Sequence, residues 1–355
     1  MFLEEYKPIK VKEVEYRRKN EEFYERLGRP IGLGLPTEPL EIKKSWSLEE
    51  VFTIIYTLTD DAYKKLFGKQ SYFRTSNNSE PNFSDAEIIT LAIVAELAGY
   101  ESRNGWWSHV SKNYRYLFPD LCSLTRYGRR LVNLSAAMEK IRRHILFLMN
   151  VDLSQLRVVD SFPLEICHLR RVNSSSQPFD YYATFGYCAA KKEFFYGFRI
   201  HMVASVNGVP LGYLLTPGHV HDTKGLAFLM QDMSQLDRFL DYLPNIAILG
   251  DKGYVGDLFA RQLKEAFGIE MLAINREYDK DLPTSSYNEL IGKTRKIIET
   301  SISVLTGTMN AAKTFARSIN GLLTNIVSKM TAFNFANYLN QLIGQPDLHI
   351  SSIVN

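Results

Sequence analysis

Three acidic residues stand where a folded chain can deliver carboxylates to one small volume. Asp160 ends the extended run Leu156-Arg157-Val158-Val159, Asp251 follows the apolar run Ile246–Leu249 within NIAILGDKGYVG (245–256), and Glu299 sits in the helical pattern KTRKIIETSISVL (293–305). Hydrolysis or transfer of a phosphodiester by two divalent ions needs such acidic groups to converge, because ions about 3.5–4 Å apart must clamp both the attacking and the leaving oxygen. Hard ions such as Mg²⁺ take carboxylate oxygens in preference to nitrogen or sulfur. Taken singly, each residue has a plain alternative: an Asp followed by Lys-Gly is often only a turn or cap residue. The chemical reading of Asp251 is that it lies at the carboxyl end of a parallel strand, where open α/β sheets build their sites.

Other residues are weighed around these three. His219 and His221, two apart in the TPGHVHD loop, have a spacing that permits zinc, and His201 in the long strand is weighed with them, but without a third soft ligand nearby, placing water or bonding within the loop is the better reading. Asp222 is either a fourth carboxylate or a turn cap. Lys252 points away from Asp251 if the chain stays extended, and it is a candidate phosphate contact together with His168, Arg170, Arg171 and His221. Tyr254, Trp106 and Trp107 are aromatic rings that can stack on bases, and core packing is favoured for both tryptophans. Cys122, Cys167 and Cys188 lack metal-type spacing and read as reduced thiols, with neither a disulfide framework nor structural zinc expected.

The elements that must hold these groups follow from periodicity. Ser47-x-x-Glu50 and Ser84-x-x-Glu87 have capping-box spacing ahead of apolar periodic runs, predicting helices near 47–67 and 84–99. Leu131, Leu134, Met138, Ile141, Ile145 and Leu148 recur every three or four residues, predicting one helix over about 125–149. From residue 151 the pattern becomes extended. Strands are expected at 156–160, 193–206, 209–215, 246–250 and 270–274, with helices near 223–239 and 256–266 and another opened by Ser286-x-x-Glu289. The polar stretch 173–180 reads as a loop. Strands in a meander, then alternating with helices, give an α/β domain with a mixed sheet flanked by helices, preceded by an all-α region.

The 355 residues, 45% apolar and 23% charged, describe a globular protein with room for two units. No apolar run of spanning length and no charged-then-apolar amino terminus is present, so the expectation is a cytoplasmic protein without a membrane partner. Net charge is only +3. Residues 101–150, however, carry nine basic against three acidic residues, among them Arg126, Arg129, Arg130, Arg142 and Arg143, interleaved with aromatic rings in the manner of a nucleic-acid-facing surface. Four segments are expected: an arm at 1–44, a helical DNA-binding domain at 45–150, a catalytic domain at 151–330 and a helix or tail at 331–355.

The blocks VVDSFPLEICH (158–168), GFRIHMV (197–203), TPGHVHD (216–222), GDKGY (250–254) and RKIIET (295–300) resemble, in order and spacing, bacterial insertion-sequence transposases of the DDE class. The resemblance covers about Leu156 to Leu305. It implies a ribonuclease-H-like fold, with Asp160, Asp251 and Glu299 as a catalytic triad holding two Mg²⁺ or Mn²⁺ ions. It also implies double-stranded DNA as partner, both transposon ends and target, with cleavage at terminal inverted repeats, transfer of the 3′ end to target DNA, and a homodimer.

In that family a Tyr seven residues before the glutamate, an Arg four before it and a basic residue seven after it often accompany the triad. Arg295 fits, whereas Gly292 and Thr306 occupy the other two positions, with Lys293, Lys296 and Lys313 as substitutes. These departures keep two alternatives open. One is a non-catalytic DNA-binding protein derived from a transposase; the other is a metal-dependent nuclease that cuts without joining.

Overall fold

A computed structural model describes residues 46–68, 81–149, 151, 155–172, 179, 182–189, 191–236, 246–273 and 285–350. The arm expected at 1–44 and most of the loop expected at 173–180 lie outside the described residues.

Among the described residues five helices come first: α1 (Leu48–Phe67), α2 (Asp85–Leu97), α3 (Arg103–Asn113), α4 (Leu124–Asn133) and α5 (Ser135–Leu148). The capping boxes expected at Ser47 and Ser84 form, each serine accepting from the N–H of Glu50 or Glu87, whose carboxylates turn back to the cap N–H groups, while the side chains of the third, Ser286 and Glu289, lie outside the described residues. α3 was not expected; Gly105, the paired tryptophans and short polar residues hide its periodicity, and Ser102 caps it through Gly105 N. The single helix expected at 125–149 is two, broken at Leu134 between Asn133 and Ser135, residue types whose side chains compete for backbone hydrogen bonds. The apolar stripe is nonetheless as read, since Leu131, Leu134, Met138, Ile141 and Ile145 are all buried.

The chain then forms β1 (Leu156–Cys167), β2 (Thr184–Cys188), β3 (Glu193–Ser205), β4 (Pro210–Pro217), α6 (Asp222–Leu236), β5 (Ala247–Gly250), α7 (Asp257–Phe267), β6 (Glu270–Ala273), α8 (Ser285–Ser303) and α9 (Ile319–Leu342). The sheet runs β2-β3-β1-β5-β6, and β4 also pairs with β3. β3 is antiparallel to β1, β2 and β4, while β1, β5 and β6 are mutually parallel. The fold is therefore the expected mixed sheet with helices on both faces behind an all-α region.

β1 corrects one expectation, since it does not stop at Asp160 but continues to Cys167 along β3. Pairing with β5 extends only over Leu156–Val158, so the rest of β1, including Pro163, has an open edge on that side, the setting in which strands tolerate proline. Successive residues of β1 serve two cores. Val158 faces the large core shared with the helical region and α9, and Val159 faces a smaller one beneath α6 and α7.

α9 runs through the boundary expected at 330/331 and is buried on nearly all sides, with Asn334, Asn337 and Asn340 inside. It packs against α2 and α5 as well as β4, with Asn334 Nδ2 donating to Pro210 O at 3.1 Å. The C-terminal helix thus returns to the helical region, so that region and the sheet share one continuous core.

Candidate active site

The parallel register sets Leu156, Arg157 and Val158 of β1 opposite Ala247, Ile248 and Leu249 of β5. Two steps further along each strand stand Asp160 and Asp251. Both share the face of Val158 and Leu249, the side on which α8 packs Ile298. A small cleft is lined by Val158, Asp160, Gly250, Asp251, Arg295 and Ile298.

Asp251 satisfies both readings of GDKGY. Its Oδ1 accepts from Gly253 N at 2.8 Å, capping a single 3₁₀ turn at Lys252–Tyr254, while the carboxylate stays partly exposed at the strand end. Lys252 is exposed on that turn. A Cβ at Gly253 would lie 2.9 Å from Asp251 Oδ1 and 3.2 Å from Asp222 Oδ2, so glycine leaves room for two carboxylates that are no more than about 6 Å apart.

Asp222 reaches this point from the other face of the sheet, as the first residue of α6. Its Oδ1 accepts from Ser161 Oγ at 2.6 Å and from Arg199 Nη1 at 3.2 Å, and Arg199 Nη1 also donates to Ser161 Oγ at 3.1 Å. Ser161 and Arg199 were not singled out in the sequence. The available signal was Arg199 itself, a lone charge in the apolar strand FFYGFRIHMVASV (194–206).

Three aspartates close together leave their mark on the titration of the site. Burial pushes the Asp160 carboxyl up to about 7, Asp251 and Asp222 add to the rise, and the Ser161 N–H and the Arg295 guanidinium oppose it. Tyr254, buried under the turn, has its phenol raised well above the usual range, first by burial and then by Asp222, Asp160 and Asp251. Its hydroxyl has no hydrogen-bond partner among the described residues. The ring therefore belongs to the core and is not placed to stack on a base.

Glu299 is half exposed on α8 and accepts from Arg295 Nε at 2.9 Å; Arg295 lines the cleft with the two aspartates, and Glu299 does not. Among the described residues no group of three His, Cys, Asp or Glu side chains is disposed to hold a metal ion. The donor chemistry nevertheless fits a hard divalent cation at Asp160 and Asp251: the oxygens are carboxylate, and Asp222 brings a third carboxylate close to Asp251.

The departures at 292 and 306 acquire a local account. A side chain at Gly292 would enter open space, so packing does not demand glycine there. The α-helix ends at Ser303 and a π-helical turn follows at Val304–Thr308, which removes Thr306 from the face a seven-residue spacing assumes. Lys313 is exposed beyond that turn, and the side chain of Lys293 lies outside the described residues.

The histidines do not converge, since each meets a different threonine. His201 Nε2 lies 3.0 Å from Thr216 Oγ1, His219 Nδ1 2.9 Å from Thr184 Oγ1, and His221 Nδ1 3.0 Å from Thr223 Oγ1. Burial lowers His201 to about 4, so it is neutral at ordinary pH.

The expected basic surface is corrected at three positions. Arg142 is 1% exposed and is consumed by Glu139 and by the carbonyls of Pro210 and Leu211. Arg143 bonds Glu139, and Arg130 bonds Asp85 and Phe83 O. Arg130 ties α4 to the start of α2 and Arg142 ties α5 to β4, because a cation on or beside a packing stripe must be paired. Arg126, Arg129, His168, Arg170 and Arg171 are exposed. Trp106 is buried with its N–H on Leu91 O, and Trp107 is half-buried with its N–H on Cys122 O.

Comparison with known proteins adds a family and one solved structure, while no curated protein matches the chain. A cryo-EM structure of the piggyBac transposase synaptic complex with hairpin DNA is similar at 11% identity and a TM-score of 0.40, over 86% of this chain and 78% of that one. Residues 151–319, just under half of the chain and containing Asp160, Asp222, Asp251 and Glu299, match the family model of the transposase DDE domain.

Proposed function

We propose that this protein is a DNA transposase that binds transposon ends, cleaves the phosphodiester and transfers the 3′ end to target DNA. The observation that carries the reading is the register of β1 and β5, which sets Asp160 beside Asp251 within a segment matching the transposase DDE domain. The strand order supports a ribonuclease-H-like arrangement, with an antiparallel meander on one side of β1 and two parallel strands on the other. Asp160 and Asp251 would hold divalent ions, Mg²⁺ or Mn²⁺, with Glu299 as the third ligand. Bound there, such ions supply Lewis acidity and offset charge on the phosphodiester. Arg295, beside the aspartates, is suited to hold a phosphate oxygen, and buried Ile298 and Leu249 keep the floor of the cleft apolar. The exposed Arg126, Arg129, Arg170, Arg171 and Lys252 are the phosphate contacts of this reading, and a homodimer would bring two ends together. No helix among the described residues is long and apolar enough to cross a membrane.

The test joins binding to stability. Millimolar Mg²⁺ or Mn²⁺ should raise the thermal midpoint by several degrees, since a cation at about 100 times its Kd adds about 2.7 kcal/mol. In Asp160→Asn/Asp251→Asn the gain should vanish. An equal gain in that double variant would place the ion elsewhere. Glu299→Gln and Asp222→Asn, compared in the same titration, identify the third ligand; an unaltered response in Glu299→Gln with a lost one in Asp222→Asn would overturn the role given to Glu299.

Gly253→Ala gives a second expectation. The added methyl would press on Asp251 Oδ1 and Asp222 Oδ2 without backbone strain, because Gly253 has no positive φ. Cleavage should fall at least about tenfold, equivalent to about 1.4 kcal/mol of barrier, while the far-UV circular dichroism is unchanged. Wild-type cleavage by this variant would mean that the two carboxylates have no shared role.

One observation favours a second reading. With Arg295 paired to Glu299, the arrangement also suits a DNA-binding protein that does not cut. A cleavage assay with Mg²⁺ and Mn²⁺ on DNA flanking the gene separates the two readings, and strand-transfer products from pre-cleaved ends exclude a plain nuclease.

A further inference from the structure

The β2–β3 hairpin has an unusual outer face. Phe185 lies opposite Tyr196 and Tyr187 opposite Phe194, so four aromatic side chains share one side of the two-stranded ribbon. Their rings pair across the strands, with centroids 5.2 Å apart for Phe185–Tyr196 and 5.1 Å for Tyr187–Phe194. The opposite face is closed, because Gly186 and Phe195 are buried against the backbone at Gly218. Tyr196 is buried at the inner end of the face, and the other three rings are open: Phe185 is 56% exposed, Tyr187 46% and Phe194 65%. Exposure of this kind on adjoining large rings marks a surface that meets a partner.

The surroundings of the patch select that partner. Lys191 and Lys192 are exposed in the turn between the two strands. Cys167 pairs with Tyr196, so His168, Arg170 and Arg171 leave β1 at the level of the hairpin, and all three are exposed. Against these four permanent cations stand the exposed Glu165 and Glu193. An aromatic platform with a cationic margin is complementary to bases lifted out of a duplex and to the phosphates that carry them, because every base has a face to stack and every nucleotide a negative charge. The hairpin is also tied to the aspartate site. Arg199 Nη2 donates to Tyr187 O at 2.7 Å, and its Nη1 donates to Ser161 Oγ and Asp222 Oδ1.

From these observations we infer that the outer face of the β2–β3 hairpin binds unpaired DNA on the part of the sheet that Arg199 joins to the aspartate site, stacking bases on Phe185, Tyr187 and Phe194 while Lys191, Lys192 and Arg170 hold the backbone. This rests on the reading of the protein as a DNA-cleaving transposase, from which it is separable by experiment. The hairpin gives the protein a preference for DNA opened near the cut, beyond what a duplex-binding helical region supplies.

The experiment measures anisotropy of dye-labelled blunt duplex, forked duplex and single strand of one sequence with the full chain, in EDTA. Wild type should bind the fork and the single strand more tightly than Phe185→Ser/Phe194→Ser does, by roughly tenfold for each ring lost, with duplex binding unchanged. Phe185→Trp/Phe194→Trp should retain the preference and Phe185→Leu/Phe194→Leu should lose it, which separates stacking from general apolarity. Equal affinity of wild type for all three DNAs overturns the inference. So does retention of the preference in the Ser double variant. A change of oligomeric state in that variant, read by sedimentation with DNA affinities unaltered, would assign the face to a second copy of the chain instead. Cleavage by the wild type is assayed in parallel: cutting without a fork preference defeats this inference alone, and a fork preference without cutting defeats only the assignment of activity.

Discussion

Asp160→Asn and Asp251→Asn are each expected to lower divalent-dependent cleavage by about three orders of magnitude or more, a loss of about 4 kcal/mol of transition-state stabilisation, while duplex affinity changes little. The two side chains stand at the end of the β1–β5 pairing, and among the described residues neither bonds an element of the helical region in which duplex contacts are expected. Asp160→Asn carries a further, opposite consequence for stability. The Asp160 carboxyl titrates near 7 in the folded chain, against an ordinary value of 3.8, so the folded state holds an extra proton between about pH 4 and pH 7. The sign follows from linkage: metal-free wild type loses stability as pH rises through that window, and the whole cost is present above it. The Asn variant lacks this slope, so at pH 8 in EDTA it should melt above the wild type while being inert as an enzyme. Calorimetry across pH 4–8 and a cleavage assay on the same preparations check both parts. If wild type and variants bind alike and none cuts, the catalytic reading fails and the DNA-binding alternative stands.

Glu139→Gln is expected to cost about 3 kcal/mol, the lower end of the loss when one partner of a buried ion pair is removed, because Arg142 is buried while Glu139 stays partly exposed. Glu139 on α5 receives Arg142 through both of its oxygens, Arg143 through Oε1, and the Tyr213 hydroxyl of β4 at 3.0 Å. Arg142 extends further to the carbonyls of Pro210 and Leu211 and lies against the Tyr213 ring, 5.3 Å from its centroid. This cluster joins the helical region to the edge of the sheet. Burial would push the Glu139 carboxyl up, but Arg142 and Arg143 outweigh it and hold the group at about 2. Because the folded value lies below the ordinary 4.5, the stabilisation is complete above about pH 4.5 and is lost as pH falls through 2. Chemical denaturation at pH 7 and at pH 3 should therefore show a smaller difference between wild type and Glu139→Gln at the lower pH. Arg142→Met/Glu139→Leu, which removes both charges, should be less damaging than Glu139→Gln alone. The opposite order would mean that the cluster is not held by its charges.

Much of the scaffold was legible because its signals are local. Ser47 and Ser84 announced two helices through spacing alone, and apolar runs placed the strands that flank Asp160 and Asp251. The misses have physical causes. A periodicity of three and four cannot reveal the bend at Leu134, since both halves keep the same buried stripe. The length of β1 past Asp160 depends on pairing with β3, which lies more than 25 residues further along the chain. Arg126, Arg129 and Arg142 are alike as letters; only the packing of α5 against β4 makes one of them a buried joint and leaves the others exposed.

The same division runs through the site. The sequence by itself determined that an aspartate would end the strand of ILGDKGY, because an apolar run closes there at glycine, and that another would lie on a strand ninety-one residues earlier, though not that this strand continues past it to Cys167. Tertiary structure alone decided which groups meet them. The parallel register brought Asp160 to Asp251, α6 carried Asp222 in from the opposite face, and α8 offered Arg295 to the cleft while Glu299 stayed half exposed and paired with Arg295. These are contacts between elements far apart in the chain, set by how a sheet and its covering helices close over a shared core.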